Sequence, residues 1–177
     1  MGAKTIKTLQ IVIVSSLALY ATLVFVGNLM DYNSNYEFVK HVLAMDTTFE
    51  GNKLMWRAIT NETLITLAYW FIIAVEGVIA ALAWVSAGKM CRRFKAPAEA
   101  FNKAKTAGVY AFILALLLWF VGFICFGSEW FAMWQSSIWN GKQTAMDLTE
   151  AFGVFLIIFV LPVQLLADGA RKGDARS

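Results

Sequence analysis

The stretch Leu64-Ile-Thr-Leu-Ala-Tyr-Trp-Phe-Ile-Ile-Ala-Val-Glu-Gly-Val-Ile-Ala-Ala-Leu-Ala-Trp-Val-Ser-Ala-Gly88 decides the fold. Glu76 is its one charged residue. As an α-helix rising 1.5 Å per residue, the stretch exceeds the ~30 Å of hydrocarbon in a bilayer. Three more apolar stretches, at about 9–27, 106–126 and 151–167, approach the ~20 residues a crossing needs. In lipid the backbone must satisfy its own hydrogen bonds, so each is expected to be a helix packed against the others. The expected fold is all-α, a four-transmembrane-helix bundle forming one integral membrane domain over residues 1–177. A hydrophobic share of 59% against 15% charged residues excludes an ordinary water-soluble domain.

The basic residues give the threading. With the N-terminus, the middle loop and the C-terminus on one side, that side holds Lys4, Lys7, Lys89, Arg92, Arg93, Lys95, Lys103, Lys105, Arg171, Lys172 and Arg176. The other side keeps Lys40, Lys53, Arg57 and Lys142. Such a bias places both termini in the cytoplasm of a multi-pass protein, here expected in a bacterial inner membrane. The net charge of +3 is then a topology signal with some attraction for anionic lipid headgroups, and nucleic acid is not an expected partner. Lys4 and Lys7 before an apolar run open like a cleaved leader. The run continues through Val26, however, beyond a usual leader core, so the first span is read as uncut. Cys91 falls in the middle loop and Cys125 ends the third span on the opposite side, so the two are expected to be free thiols, Cys125 buried.

Two outer, periplasmic connections carry the least generic sequence. In the first, the spacing predicts an amphipathic helix over 34–46, with Phe38, Val39, Val42, Leu43 and Met45 on its apolar stripe. Thr60 or Asn61 is expected to cap the second span, with Glu62 in its first turn. In the second connection Trp130, Trp134 and Ile138 repeat every four residues, predicting a helix at the membrane interface that ends at Asn140-Gly141. Pro162 is expected to kink the last span, with Gln164 near enough to take a freed carbonyl.

Glu76 is the intramembrane candidate. A charged residue at mid-helix in a bilayer costs roughly 2.5–3.5 kcal/mol on insertion scales, and no Lys, Arg or His lies at matching depth. Ser15, Ser16 and Tyr20 offer hydroxyl partners. Two readings stand: a protonated carboxyl acting as packing glue, or a carboxyl that carries protons or binds ligand in an inner cavity. Gly77-x-x-x-Ala81 beside it is a small-residue contact pattern. On the outer face, Asp31, Glu37, His41, Asp46, Glu129, Trp130, Trp134 and Gln135 are the binding candidates. Glu37 and His41 stand one helical turn apart, but one His without paired Cys falls short of a zinc shell, so no metal is expected. No phosphate-binding loop or nucleophile–base pattern occurs; no catalytic residue and no cofactor are expected.

Four segments are specific enough to compare with known sequences: Asp31-Tyr-Asn-Ser-Asn-Tyr-Glu-Phe-Val-Lys-His-Val-Leu-Ala-Met-Asp46, Trp56-Arg-Ala-Ile-Thr60, Phe101-Asn-Lys-Ala-Lys105 and Glu129-Trp-Phe-Ala-Met-Trp-Gln-Ser-Ser137. Through them the chain resembles a bacterial family of predicted small integral membrane proteins, domain-of-unknown-function family 2165. The resemblance implies an inner-membrane protein of this size and span count, and it brings no activity or catalytic residues. The leading expectation is a non-enzymatic accessory or scaffold subunit recognising another membrane protein, or a second copy of itself, through its outer face. The alternative is a small proton-linked transporter or apolar-ligand-binding protein using Glu76.

Overall fold

The computed structural model describes residues 2–167. Helix α1 (Ala3–Met30) leads through Asp31 alone into α2 (Tyr32–Ala44), which turns back over the bundle. Met45, in the left-handed conformation at φ 56°, stops α2. After a single 3₁₀ turn at Met55–Arg57, Asn61 opens α3 (Glu62–Arg92). Its Oδ1 accepts from the Thr63 and Leu64 amides at 3.0 and 3.1 Å, and Glu62 sits in the first turn as expected. A turn precedes α4 (Ala98–Ala104), which runs into α5 (Thr106–Leu116). The chain then continues as a wider helix, Leu117–Trp130, with i→i+5 bonding that ends in Phe131 N–H to Phe126 O at 2.9 Å. The last long helix is α6 (Lys142–Val160).

Four helical stretches are long and apolar enough to cross a membrane: Ala3–Met30, Glu62–Arg92, Ala98–Trp130 and Lys142–Val160. Their arrangement is up-down-up-down, with α3 between α1 and α5, and α6 closing the ring against α5 and α1. Large apolar side chains such as Leu23, Phe71 and Ile157 are more than 60% exposed on the outside of that ring, far beyond what water tolerates over a whole surface. The bundle has a basic end, where Lys4, Lys7, Lys89, Arg92, Arg93, Lys95, Lys103 and Lys105 gather, and a connection end. Arg171, Lys172 and Arg176, which the charge asymmetry also counted, lie outside the described residues.

Small residues let the helices approach, as association in lipid requires. Of the expected pair, Gly77 does so and Ala81 does not. Ala80, Ala83 and Ala87 are buried with Leu17, Ala18 and Ala21, whereas Ala81 faces outward. Gly77 does sit close to α1, since a Cβ there would lie 3.0 Å from the Phe25 ring. Gly108 is tighter: a Cβ would come within 2.7 Å of both Phe159 Cζ and Ser86 Oγ. Gly108→Ala is therefore expected to lower stability by about 1–3 kcal/mol through overpacking. Gly153→Ala, on α6 with open space around it, should stabilise by up to about 1 kcal/mol. Denaturant unfolding of both variants in non-ionic micelles checks the contrast.

Three expected features differ. The last span begins at Lys142 and ends at Val160 instead of covering 151–167, because Leu161 takes an extended conformation (ψ 134°) before Pro162 and helix resumes only over 163–167. Pro162 thus breaks the helix, and the freed carbonyls go to Gln10, not Gln164. Gln10 Nε2 lies 3.1, 3.2 and 2.9 Å from the carbonyls of Ile158, Phe159 and Leu161. Lys105 Nζ adds a second donor to Leu161 O at 2.8 Å, while Gln164 accepts from Asn102. The expected interfacial helix through Trp130, Trp134 and Ile138 is also absent. The wide helix ends at Trp130, Ala132 is left-handed at φ 53°, and Met133–Gln135 makes one 3₁₀ turn. Cys125, expected to be buried, is exposed, as is Cys91.

Candidate functional site

Tyr69 and Glu76 stand seven residues apart on α3, so they share the helix face that points into the bundle. From α1, Val14, Ala21 and Asn28 follow the same seven-residue spacing and are buried too. The two faces meet at Asn28, two residues before α1 ends. Its Nδ2 donates to Glu76 Oε2 at 2.6 Å, and its Oδ1 and backbone carbonyl lie 3.3 and 3.4 Å from the Tyr69 hydroxyl. The amide orientation is self-consistent: nitrogen toward the carboxyl, oxygen toward the phenol. Glu76 is 3% exposed. Its partner is thus an amide near the connection end of α1, not the hydroxyls of Ser15, Ser16 or Tyr20. Ser16 instead donates to Val12 O, and the Tyr20 ring packs on Trp119 and Phe152.

Glu76 lies on the wall of a cleft of about 420 Å³ between α1, α2, α3, the wide helix and α6. Exposed Asn35 and Thr144 form its rim at the connection end; Glu76, Asn28 and Tyr69 form its polar depth. Phe38, Trp119 and Phe123 supply aromatic walls. Among the described residues that line it, none is basic and Glu76 is the one carboxyl. Trp119 and Phe123, four apart on the i→i+5 helix, both face the cleft, and a widened helix beside a ligand-sized cavity is where such geometry recurs. A second cleft, apolar and about 290 Å³, lies between α2, α3 and the same helix. It shares Phe38, Val39, Ile72 and Phe123 with the first as a common wall.

Of the eight outer-face candidates, His41, Trp130, Trp134 and Gln135 reach across to the other connection, while Asp31, Glu37, Asp46 and Glu129 pair within their own. Asp31, at the α1–α2 joint, accepts from Ser34 at 2.8 Å. His41 has its Nδ1 2.7 Å from Asp46 Oδ2 and its Nε2 3.5 Å from Glu37, which also pairs with Lys40 at 3.4 Å. The His41 ring stacks on Trp139 of the other connection, 4.8 Å between centroids and 11° from parallel. Gln135 Oε1 accepts from the Phe49 amide and from Asn52. Trp134 packs edge-on against Phe49, and Glu129 pairs with Lys142 at 3.2 Å. Trp130 receives the Arg57 guanidinium 4.3 Å from its ring centroid, with Trp56 at 5.2 Å from the same guanidinium.

Arg57 and Ser136 are organising residues that the sequence reading missed. Ser136 Oγ accepts from Thr47 across the connections and from the Trp139 amide, both at 2.8 Å. Among the described residues no group of three His, Cys, Asp or Glu side chains is placed to hold a metal ion.

No curated protein and no solved structure matches this chain. A family model described as "predicted small integral membrane protein" matches residues 6–162, from the first buried residue of α1 through the proline that ends the last span. An all-helical bundle with four membrane-length apolar helices agrees with that description, and the chain belongs to this family, domain-of-unknown-function family 2165.

Proposed function

We propose that the protein is a ligand-binding membrane protein of transporter type, working through Glu76 in the cleft at the connection end. The observation that carries this reading is a nearly sealed carboxyl, 3% exposed, on the wall of a cavity of about 420 Å³ whose rim is open. Burying a carboxyl is costly, and a merely structural one would be closed over by packing. A single carboxyl that can hold either a proton or a ligand group also provides the chemistry of proton-linked binding. The basic residues support a bacterial inner-membrane orientation in which the cleft opens to the outside and the basic end faces the cytoplasm.

A second reading, an accessory subunit recognising a membrane protein through the connection face, draws on Trp56 and Ile138, each 72% exposed there. The polar candidates on that face already serve internal contacts, which leaves the cleft as the better-equipped site.

Carbodiimide labelling tests the first reading. A water-soluble carbodiimide with an amine nucleophile, added to the purified full chain in non-ionic micelles, should modify Glu76 through the cleft, read by peptide mass mapping. The Glu76→Gln variant should lose that one site. Modification of exposed Glu62 and Glu129 with Glu76 untouched would make it a sealed packing group and end the proposal.

A further inference from the structure

Four features of the cleft together select a ligand chemistry. Glu76 Oε2 is taken by Asn28, while Oε1 accepts from no described residue. Among the described residues no basic side chain lines the cleft to neutralise it. Tyr69, Trp119 and Phe123 present aromatic rings around the same space. The volume, about 420 Å³, falls in the lower part of the range for small-molecule sites.

An anionic ligand would meet an uncompensated carboxylate. A neutral apolar ligand would strip Glu76 of water and return nothing to Oε1. A divalent metal of the calcium type wants six to eight oxygens at short range, which one carboxylate and a few amide or hydroxyl groups spread over aromatic walls do not provide. A cation with apolar substituents satisfies every wall: its charge opposes Glu76, and aromatic faces attract cations through their quadrupoles. We propose that the cleft binds a monovalent organic cation, an amine or quaternary ammonium with an apolar body. This rests on the reading of Glu76 as a ligand-binding group.

The probe is benzyltrimethylammonium, compared with neutral benzyl alcohol and anionic phenylacetate, each titrated by calorimetry into the purified full chain in non-ionic micelles. The cation should bind at least about tenfold more tightly than either comparator, and Glu76→Gln should weaken it about tenfold or more. Phe123→Leu, which leaves the polar groups in place, should weaken the cation by about two- to fivefold and leave benzyl alcohol unchanged. The cation should also shield Glu76 from carbodiimide.

Equal shielding by benzyl alcohol or phenylacetate would overturn the cation assignment while leaving the cleft a ligand site. No binding of the cation, or binding that neither variant alters, would overturn it as well. A Glu76 that no carbodiimide reaches would overturn both readings. If Glu76→Gln does not fold, Phe123→Leu decides, since an unchanged cation affinity there rejects the aromatic site.

Discussion

Replacing Gln10 by Leu will destabilise the bundle by about 2–3 kcal/mol, although the residue is uncharged and does not line the cleft. The cause is the break at Pro162. Within an uninterrupted helix, the carbonyl of Ile158 would accept from residue 162, but proline has no N–H to give. The carbonyl of Phe159 would accept from Val163, whose amide instead points to Asn102 Oδ1 at 3.4 Å. Gln10, itself 0% exposed, reaches over from α1 and supplies both carbonyls from one amide nitrogen. An unsatisfied carbonyl in a dry bundle costs about 1–3 kcal/mol, and Leu would leave two of them. Part of the loss is offset, because Gln10 Oε1 is buried without a partner among the described residues and its removal relieves that cost.

The explanation has a control of its own. In a Pro162→Ala background the backbone regains an N–H at position 162, and the restriction on Leu161 is lifted. The loss caused by Gln10→Leu should then shrink by about 1 kcal/mol, the worth of one recovered hydrogen bond. Lys105→Met should cost less than Gln10→Leu, because it strips a donor from Leu161 O alone, and Gln10 Nε2, 2.9 Å away, can share a hydrogen with that oxygen. Unfolding free energies in non-ionic micelles, measured for the four members of the Gln10/Pro162 cycle, check the argument. Equal losses in both backgrounds would mean that Gln10 acts through packing alone.

Gln10 also shows what the chain's letters reveal and what they conceal. The spans were legible because each rests on a local property, uninterrupted apolarity over membrane length, and the α3 start because Asn61 and Glu62 form a local cap. The break at Pro162 was legible as a disturbance. Its remedy was not, since the donor lies 148 residues away in sequence. The displaced last span has a similar origin. Residues 142–150 are too polar to count as membrane-embedded, yet they are helical and contribute Thr144 and Ala145 to the cleft.

In the second connection, four-residue spacing of Trp130, Trp134 and Ile138 suggested a helix. Periodicity alone does not hold a backbone when Ala132 turns left-handed and the side chains find partners in the first connection. Glu76 stood out by its depth in an apolar run. Asn28 falls just past the apolar stretch of 9–27, yet its place seven residues beyond Ala21 puts it on the buried face of α1.

That pairing gives the second large effect. Asn28→Leu should cost about 2–4 kcal/mol, because it removes the donor that holds the Glu76 carboxyl at 2.6 Å and leaves the acid buried with no described partner. Tyr69 loses an acceptor in the same step. Glu76→Gln should cost under about 1 kcal/mol, since its amide oxygen still accepts from Asn28 Nδ2. The informative variant is the double change Asn28→Leu with Glu76→Leu. Replacing both members of a buried polar pair by apolar groups of similar size is often near neutral, so most of the stability lost in Asn28→Leu should return. If the pair existed only to bind helices together, that protein would be as competent as the original. The cleft would still be there, however, without its carboxyl, and binding of an organic cation should be gone. A double variant that is both stable and fully able to bind benzyltrimethylammonium would separate the cation from Glu76; one that stays as unstable as Asn28→Leu would show that the polar contact, not the relief of a buried acid, holds α1 against α3.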